Sequence, residues 1–208
     1  MPKHSVIEPK QQRSQETQRK LLQALHTCLK DKFFEHISIK ELAELAGVSV
    51  GTFYRRFKDK ESLLPLLYQD FGNDLSLWVD GLERHKYNNL SHCIHFISEQ
   101  MHLFLEQKKS VFRTLHLNAR LHSDLISSDS AVDRAEIYQR LIALILQFDD
   151  EINTPKPEEA AGVAIFTLIN TLMEKVLYPT LTPAIACQLD AQAYAKAAPD
   201  MLLAYLKN

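Results

Sequence analysis

Apolar residues recur at spacings of three and four along nearly the whole chain, the period of an amphipathic helix. Leu21, Leu22, Leu25, Cys28 and Leu29 make one stripe, with Gln15, Arg19, Gln23 and Lys30 opposite, and predict a helix over about 14–32. Ser38, followed three residues later by Glu41, has the form of a capping box and opens a short helix, 39–46. Gly47 can then supply the C-terminal turn, and Ser49 is a good N-cap for a third helix running to about residue 57. A short helix, a glycine turn and a second short helix with a basic end make a helix-turn-helix.

Asp59 reads as the cap of a fourth helix that buries Leu63, Leu67, Phe71, Leu75, Trp78 and Leu82. Pro65 lacks the N–H a helix interior needs, so the pattern predicts either a kink or a helix that properly begins at Pro65. Further amphipathic stretches fall at about 88–107, 110–122, 130–149, 157–178 and 185–206. They are separated by joints such as Ser127-Ser128-Asp129-Ser130 and Asn153-Thr154-Pro155-Lys156-Pro157. No stretch reads as a strand or as an internal repeat, so the expected class is all-α.

Composition narrows the chemistry. Of 208 residues, 46% are hydrophobic and 24% charged, as in a soluble packed protein of one or two domains. The five glycines form no GxGxxG or GxxxxGK[ST] pattern, which argues against a nucleotide-phosphate loop. Cys28, Cys93 and Cys187 are odd in number and widely spaced, which suggests free thiols in a reducing compartment. The first ten residues lack the apolar core of a signal peptide, and the longest strictly apolar run, 141–146, is far short of a membrane span. The expected location is therefore cytoplasmic, with no membrane partner. The formal charge of −2 conceals a polarity: residues 1–60 hold 12 Lys+Arg against 7 Asp+Glu, and residues 61–208 hold 12 against 19. A basic N-terminal part suits a polyanion and the acidic remainder does not.

The most informative stretch is Ile37 to Leu64, ISIKELAELAGVSVGTFYRRFKDKESLL. It resembles the DNA-binding signature of the tetracycline-repressor (TetR) family of bacterial transcription regulators, in detail over roughly residues 12–68. The resemblance implies DNA contacts from Val50, Gly51, Thr52, Tyr54, Arg56 and Lys60, with the cap positions Ser38 and Ser49 on phosphates. Helical periodicity ranks the positions differently. It puts Phe53 and Phe57 on the inner face, toward Leu42, Leu45 and the first helix, and leaves Gly51, Thr52, Arg55 and Lys58 outward. Both arginines are retained as candidates. Hydroxyls of Thr52 and Tyr54 suit phosphates, arginines suit phosphate or guanine, and Gly51 permits close backbone approach. Lys60 and the free amides opening the fourth helix suggest a second anion site.

One helix-turn-helix reads few base pairs, so two copies on half-sites about 34–36 Å apart are expected. The resemblance implies that the last two helices pair with those of a second copy in a four-helix bundle. Candidates for that face are Ala160, Ala161, Gly162, Ala164, Ile165, Leu168, Leu172 and Val176, then Ala191, Ala195, Leu202, Leu203 and Leu206; an intramolecular core explains the leucines equally well. It also implies a pocket among the middle helices, with Trp78, Phe96, Phe104, Phe112, His116 and Tyr138 as candidates, and a ligand-driven shift of the fourth helix for which Pro65 is a candidate hinge. His85, His92, His95 and His102 recur at steps of seven, three and seven but lack a partner carboxylate or cysteine at ligand spacing, so neither metal nor other cofactor is expected.

Taken together, the sequence predicts a helix-turn-helix DNA-binding domain at 1–62 and a larger helical effector-binding and dimerisation domain at 63–208. The expected function is a ligand-responsive repressor that binds a palindromic double-stranded operator as a homodimer and is released by a small apolar or amphipathic effector. Two alternatives remain: an architectural or cell-division DNA-binding protein without a pocket, and an all-α metal-dependent enzyme. The second has no nucleophile-base pair to support it.

Overall fold

A computed structural model describes residues 9–121, 133–181 and 183–208. Among the described residues every regular element is helical: α1 (Pro9–Leu29), α2 (Ile39–Leu45), α3 (Val50–Tyr54), α4 (Leu64–Arg84), α5 (Leu90–Leu121), α6 (Arg134–Leu146), α7 (Pro157–Leu177) and α8 (Ala191–Lys207), with short 3-10 turns between several of them. The all-α class expected from periodicity is the observed one. The serine-rich joint at 127–130 lies outside the described residues.

The chain divides into two compact units, one of residues 1–70 with 113–130 and the other of 71–112 with 131–208. The division cuts α4 after Asp70 and α5 after Phe112, whereas the sequence suggested a boundary at 62. In the first unit Leu21, Leu25 and Leu29 of α1, Leu42 of α2, Phe53 of α3 and Leu63 and Leu67 are completely buried. Arg113 lies 4.0 Å over the Phe33 ring, and the Tyr68 hydroxyl donates to the Leu115 carbonyl at 2.7 Å.

In the second unit the core comes from α4 to α8. Ile94, Ile97, Ile145, Ala164, Ile165, Leu168 and Leu202 meet so closely that the gap among them admits no water molecule. Helix α7 is apolar and long enough to cross a membrane by length and composition, with mean hydropathy 1.5, but 56% of that window is buried. It is the central core helix of this unit, longer in its apolar character than the six-residue run suggested, because Gly162, Thr167, Asn170 and Thr171 interrupt a strict count without breaking the buried face.

One joint and two prolines are explained by local causes. The stretches at 88–107 and 110–122 are one helix, α5, because Glu106-Gln107-Lys108-Lys109-Ser110 is polar without containing a residue that stops a helix. Of the two outcomes expected at Pro65, the structure takes the second, a helix that begins there. The helix begins at Leu64, so Pro65 occupies the first turn, where no intrahelical N–H is required. Pro199, by contrast, lies inside α8. It cannot donate to the Ala195 carbonyl, and the buried Ser98 hydroxyl does so instead at 2.6 Å, which satisfies the group the proline leaves orphaned.

Candidate nucleic-acid interface

The turn between α2 and α3 is set by glycine. Gly47 has φ +65, a left-handed conformation that is strained for other residues. Its N–H donates to the Glu44 carbonyl at 3.1 Å, and that of Val48 to Ala43 at 2.9 Å. This is the Schellman pair that closes a helix. Ser38 caps α2 by accepting from the Glu41 amide at 3.1 Å. The returning Glu41 carboxylate is held below its usual range by Lys32, whose Nζ lies 2.6 Å away, and by the Ser38 amide. Ser49 caps α3 by accepting from the Thr52 amide at 3.0 Å.

On α3, Phe53 is completely buried and Phe57 packs on it with ring centroids 5.5 Å apart, as the helical period required. Leu45 departs from that reading: it is 55% exposed, because α2 ends at Leu45 and only its Leu42 and Ala43 face the core. The exposed surface carries Val50, Gly51, Tyr54, Arg55 and Lys58, with Thr52 half-buried beside them. A Cβ placed on Gly51 would meet only Ser49 Oγ at 3.7 Å, so nothing within the chain requires glycine there. Three side chains form a line along this surface. Arg55 Nη2 donates to Thr52 Oγ1 at 2.9 Å, and the Thr52 and Ser49 hydroxyls are hydrogen-bonded at 2.9 Å.

The two remaining cations point elsewhere. Arg56 donates from Nη1 to Ser14 and from Nη2 to Gln18, one turn apart on α1, while its Nε is buried. Lys60 donates to the carbonyls of Phe34 at 2.7 Å, Glu35 at 3.2 Å and Ile37 at 3.0 Å and sits 4.6 Å over the Phe34 ring. Its three N–H groups are thereby engaged. The second anion site expected there is not assembled either, because Asp59 accepts from the Ser62 amide at 2.9 Å and from its hydroxyl at 2.6 Å. These bonds hold the Asp59 carboxyl below its usual range and place a negative charge where an anion was expected. Sequence reasoning missed Ser14 and Gln18 as partners of Arg56. Their spacing of four on the polar face of α1 was the available signal.

The six pocket candidates do not converge. In the second unit Phe104 and Phe112 group around Phe71, at 5.8 and 5.2 Å between ring centroids, and Trp78 meets Phe104 at 5.3 Å. Asp74 and Lys108 pair within the same stretches of α4 and α5. The Trp78 Nε1 is buried without a hydrogen-bond partner among the described residues. Phe96 belongs to another group, stacked on His85 at 3.9 Å with Tyr87 and His92 at its edges. Tyr138 is 47% exposed on α6. His116 falls in the first unit, where burial and then the neighbouring Arg120 lower its pKa.

The histidine stripe is interrupted because α4 ends at Arg84 and α5 starts at Leu90, leaving His85 between helices. His95 instead lies 3.4 Å from Asp200, and among the described residues no three His, Cys, Asp or Glu side chains gather as a metal site. Cys28 and Cys93 are buried and Cys187 is half-buried. Burial pushes the Cys93 thiol up to about 12.

The α7 and α8 residues expected at a dimer face are mostly core. Ala160, Ala161, Ala164, Ile165, Leu168, Leu172 and Val176 are buried, as are Ala195, Leu202 and Leu206. The large apolar side chains exposed on these helices are Val163, Phe166, Met201 and Tyr205.

Residues 21–73 match the family model described as bacterial regulatory proteins, tetR family. The chain is 26% identical over 111 residues to YvkB of Bacillus subtilis strain 168, an uncharacterised HTH-type transcriptional regulator; the match covers 53% of this chain and 57% of that protein. Among solved structures, the TetR family transcriptional regulator PfmR of Thermus thermophilus superposes with TM-score 0.62 at 16% identity, over 90% of this chain and 99% of that one. GusR of Salmonella enterica gives TM-score 0.58 at 16% identity over 99% and 100%. The fold is thus shared over nearly the full length at identities too low to transfer ligands or partners, and the relatives are transcriptional regulators, not enzymes. Residues 21–73 thus carry the helix-turn-helix of the tetR family of bacterial regulatory proteins, and the helical body shares the fold of the TetR-family structures.

Proposed function

We propose that the protein is a cytoplasmic transcriptional regulator that binds a palindromic double-stranded operator as a homodimer and responds to a small effector. The observation that carries the reading is the exposed surface of α3, where Val50, Gly51, Tyr54 and Arg55 stand uncovered around a hydroxyl and guanidinium line. Such a surface offers donors for phosphates and base edges together with a glycine that lets a backbone come close. Residues 1–62 are the reading module in this account. Titration of labelled operator duplex by fluorescence anisotropy tests it. Tyr54→Ala is expected to weaken binding by about 1–3 kcal/mol with an unchanged melting temperature, since Tyr54 is 56% exposed; unchanged affinity would remove Tyr54 from the interface.

The occupant of the exposed Val163, Phe166, Met201 and Tyr205 surface is, in this reading, a second copy. Phe166 is 68% exposed, an unusual cost for a large aromatic unless a partner covers it. Sedimentation of Phe166→Glu is expected to give a folded monomer where the wild type is a dimer; a wild type that sediments as a monomer at micromolar concentration ends the dimer assignment.

The aromatic group of Phe71, Trp78, Phe104 and Phe112, with the free Trp78 N–H, is the candidate contact for an amphipathic effector. It draws on the parts of α4 and α5 that lie in the second unit. Trp78 is the one tryptophan in the chain, so its fluorescence reports binding directly. A compound that changes this emission and lowers operator affinity supports the effector role. An architectural DNA-binding role predicts that no compound does both.

A further inference from the structure

Four cations follow Tyr54 in quick succession: Arg55, Arg56, Lys58 and Lys60. Two are engaged inside the protein. Arg56 reaches back to Ser14 and Gln18, and Lys60 is engaged by three carbonyls. Lys58 is exposed but carries a single ammonium, which can neutralise a phosphate and cannot present the planar two-donor edge that matches guanine O6 and N7. Arg55 is exposed and uses one of its five N–H groups, leaving a two-donor edge of the guanidinium available.

That side chain is also held in place. With Thr52 Oγ1 accepting from Arg55, the Thr52 hydroxyl can donate to Ser49 Oγ at 2.9 Å, and Ser49 Oγ in turn accepts the Thr52 amide at 3.0 Å. The donor order is consistent along the line, and its far end is the cap that starts α3. An arginine ordered before binding loses less rotamer freedom when it docks.

We propose that Arg55 is the base-reading arginine of this chain, specifying a guanine in each half-site, with Thr52 as its positioning residue and Arg56 as an internal strut. The assignment rests on the DNA-binding reading above, and it inverts the order that the family resemblance implies for the two arginines.

The test is selection of binding sites from a randomised duplex library by the full chain, followed by affinity measurements on the enriched site. The wild type is expected to enrich a guanine at one symmetric position. Arg55→Ala should lose that preference and bind the best site roughly 5- to 150-fold more weakly. Arg55→Lys, which keeps the charge, should lose the preference while retaining the salt dependence. Thr52→Val should weaken the guanine preference with Arg55 still present, an effect that loss of a phosphate contact alone would not produce. Arg56→Ala should lower the melting temperature and leave the base preferences intact. Arg55 variants that bind every sequence uniformly more weakly, with the preferences unchanged, would make Arg55 a phosphate contact and overturn the proposal. Failure of the wild type to enrich any sequence would overturn the DNA-binding reading itself, and would be seen before any variant is made.

Discussion

Lys60 and Lys175 each aim an ammonium at three backbone carbonyls, one in the basic unit and one in the acidic unit. Lys175, on α7, donates to Ala184 at 2.8 Å, to Leu189 at 2.8 Å and to Cys187. It is 7% exposed, and its three acceptors lie within the next fourteen residues. Lys60 is half-buried and reaches back 23 to 26 residues, to the turn between α1 and α2. Lys175 therefore staples a local loop from a buried position beneath it, and Lys60 ties distant parts of the DNA-reading module while remaining partly in water. A surplus of positive charge in a segment does not say which of its charges are available to a partner. Here the surplus belongs to the whole module, while two of its cations serve the module's own structure.

The contrast can be broken most sharply at Lys175. Lys175→Met keeps the apolar stem and deserts three acceptors, one buried and two partly buried, so a loss of about 3 kcal/mol is expected. That corresponds to a fall in melting temperature of roughly 6–12 °C. A melting temperature unchanged within about 2 °C would mean that the loop finds other donors and that burial does not separate the two lysines. Lys60→Met should cost less, about 1–2 kcal/mol, because water can reach part of what it leaves. The dependence of operator affinity on salt sharpens the point: neutralising a phosphate contact lowers the log–log slope by about 0.9. Lys58→Met is expected to show that drop and Lys60→Met to show none. A reduced slope in Lys60→Met would return Lys60 to the DNA.

The smallest expected effect compares acid responses. Glu83 is held below its usual range by Arg140, and Glu151 by Lys207 and the Leu90 amide; Glu41 and Asp59 are held low in the other unit. A carboxyl with a lowered folded pKa contributes stability that is present above its ordinary value and is lost as pH falls through the lowered one. Both units should therefore hold their stability down to about pH 4.5 and lose it below. Glu151→Gln should flatten part of that acid limb by lowering the neutral melting temperature slightly, while leaving stability in acid close to that of the wild type. An acid limb identical to wild type would show that the Lys207 contact carries no net stability.

The module was legible because its signals are local. Ser38, Gly47 and Ser49 act on backbone groups within three or four residues, so each could be read from spacing, and Phe53 and Phe57 followed the helical period. Leu45 did not, because whether the last residue of a short helix is covered depends on what lies across from it. The dimer face shows the same limit. Periodicity marks α7 as apolar on many positions, but which of them the unit's own core consumes is settled by packing against α6 and α8, and what remains exposed is Val163, Phe166, Met201 and Tyr205. The pocket candidates were chosen as aromatics on middle helices. Only three of them come together, because contact between α4 and α5 depends on register and not on residue type.

By itself the sequence determined the helical class, the helix-turn-helix with its caps, and the division of charge, because hydrogen-bond capping and amphipathic period act over a few residues. Tertiary structure decided which of two adjacent arginines is free, where the ammonium groups of Lys60 and Lys175 go, and how an orphaned carbonyl at Pro199 is satisfied. Each of those outcomes depends on a partner that only folding brings near, Ser14 and Gln18 for Arg56 and Ser98 for Ala195. A one-dimensional pattern carries no distance between such positions, and side chains with several donors settle wherever folding brings unsatisfied acceptors.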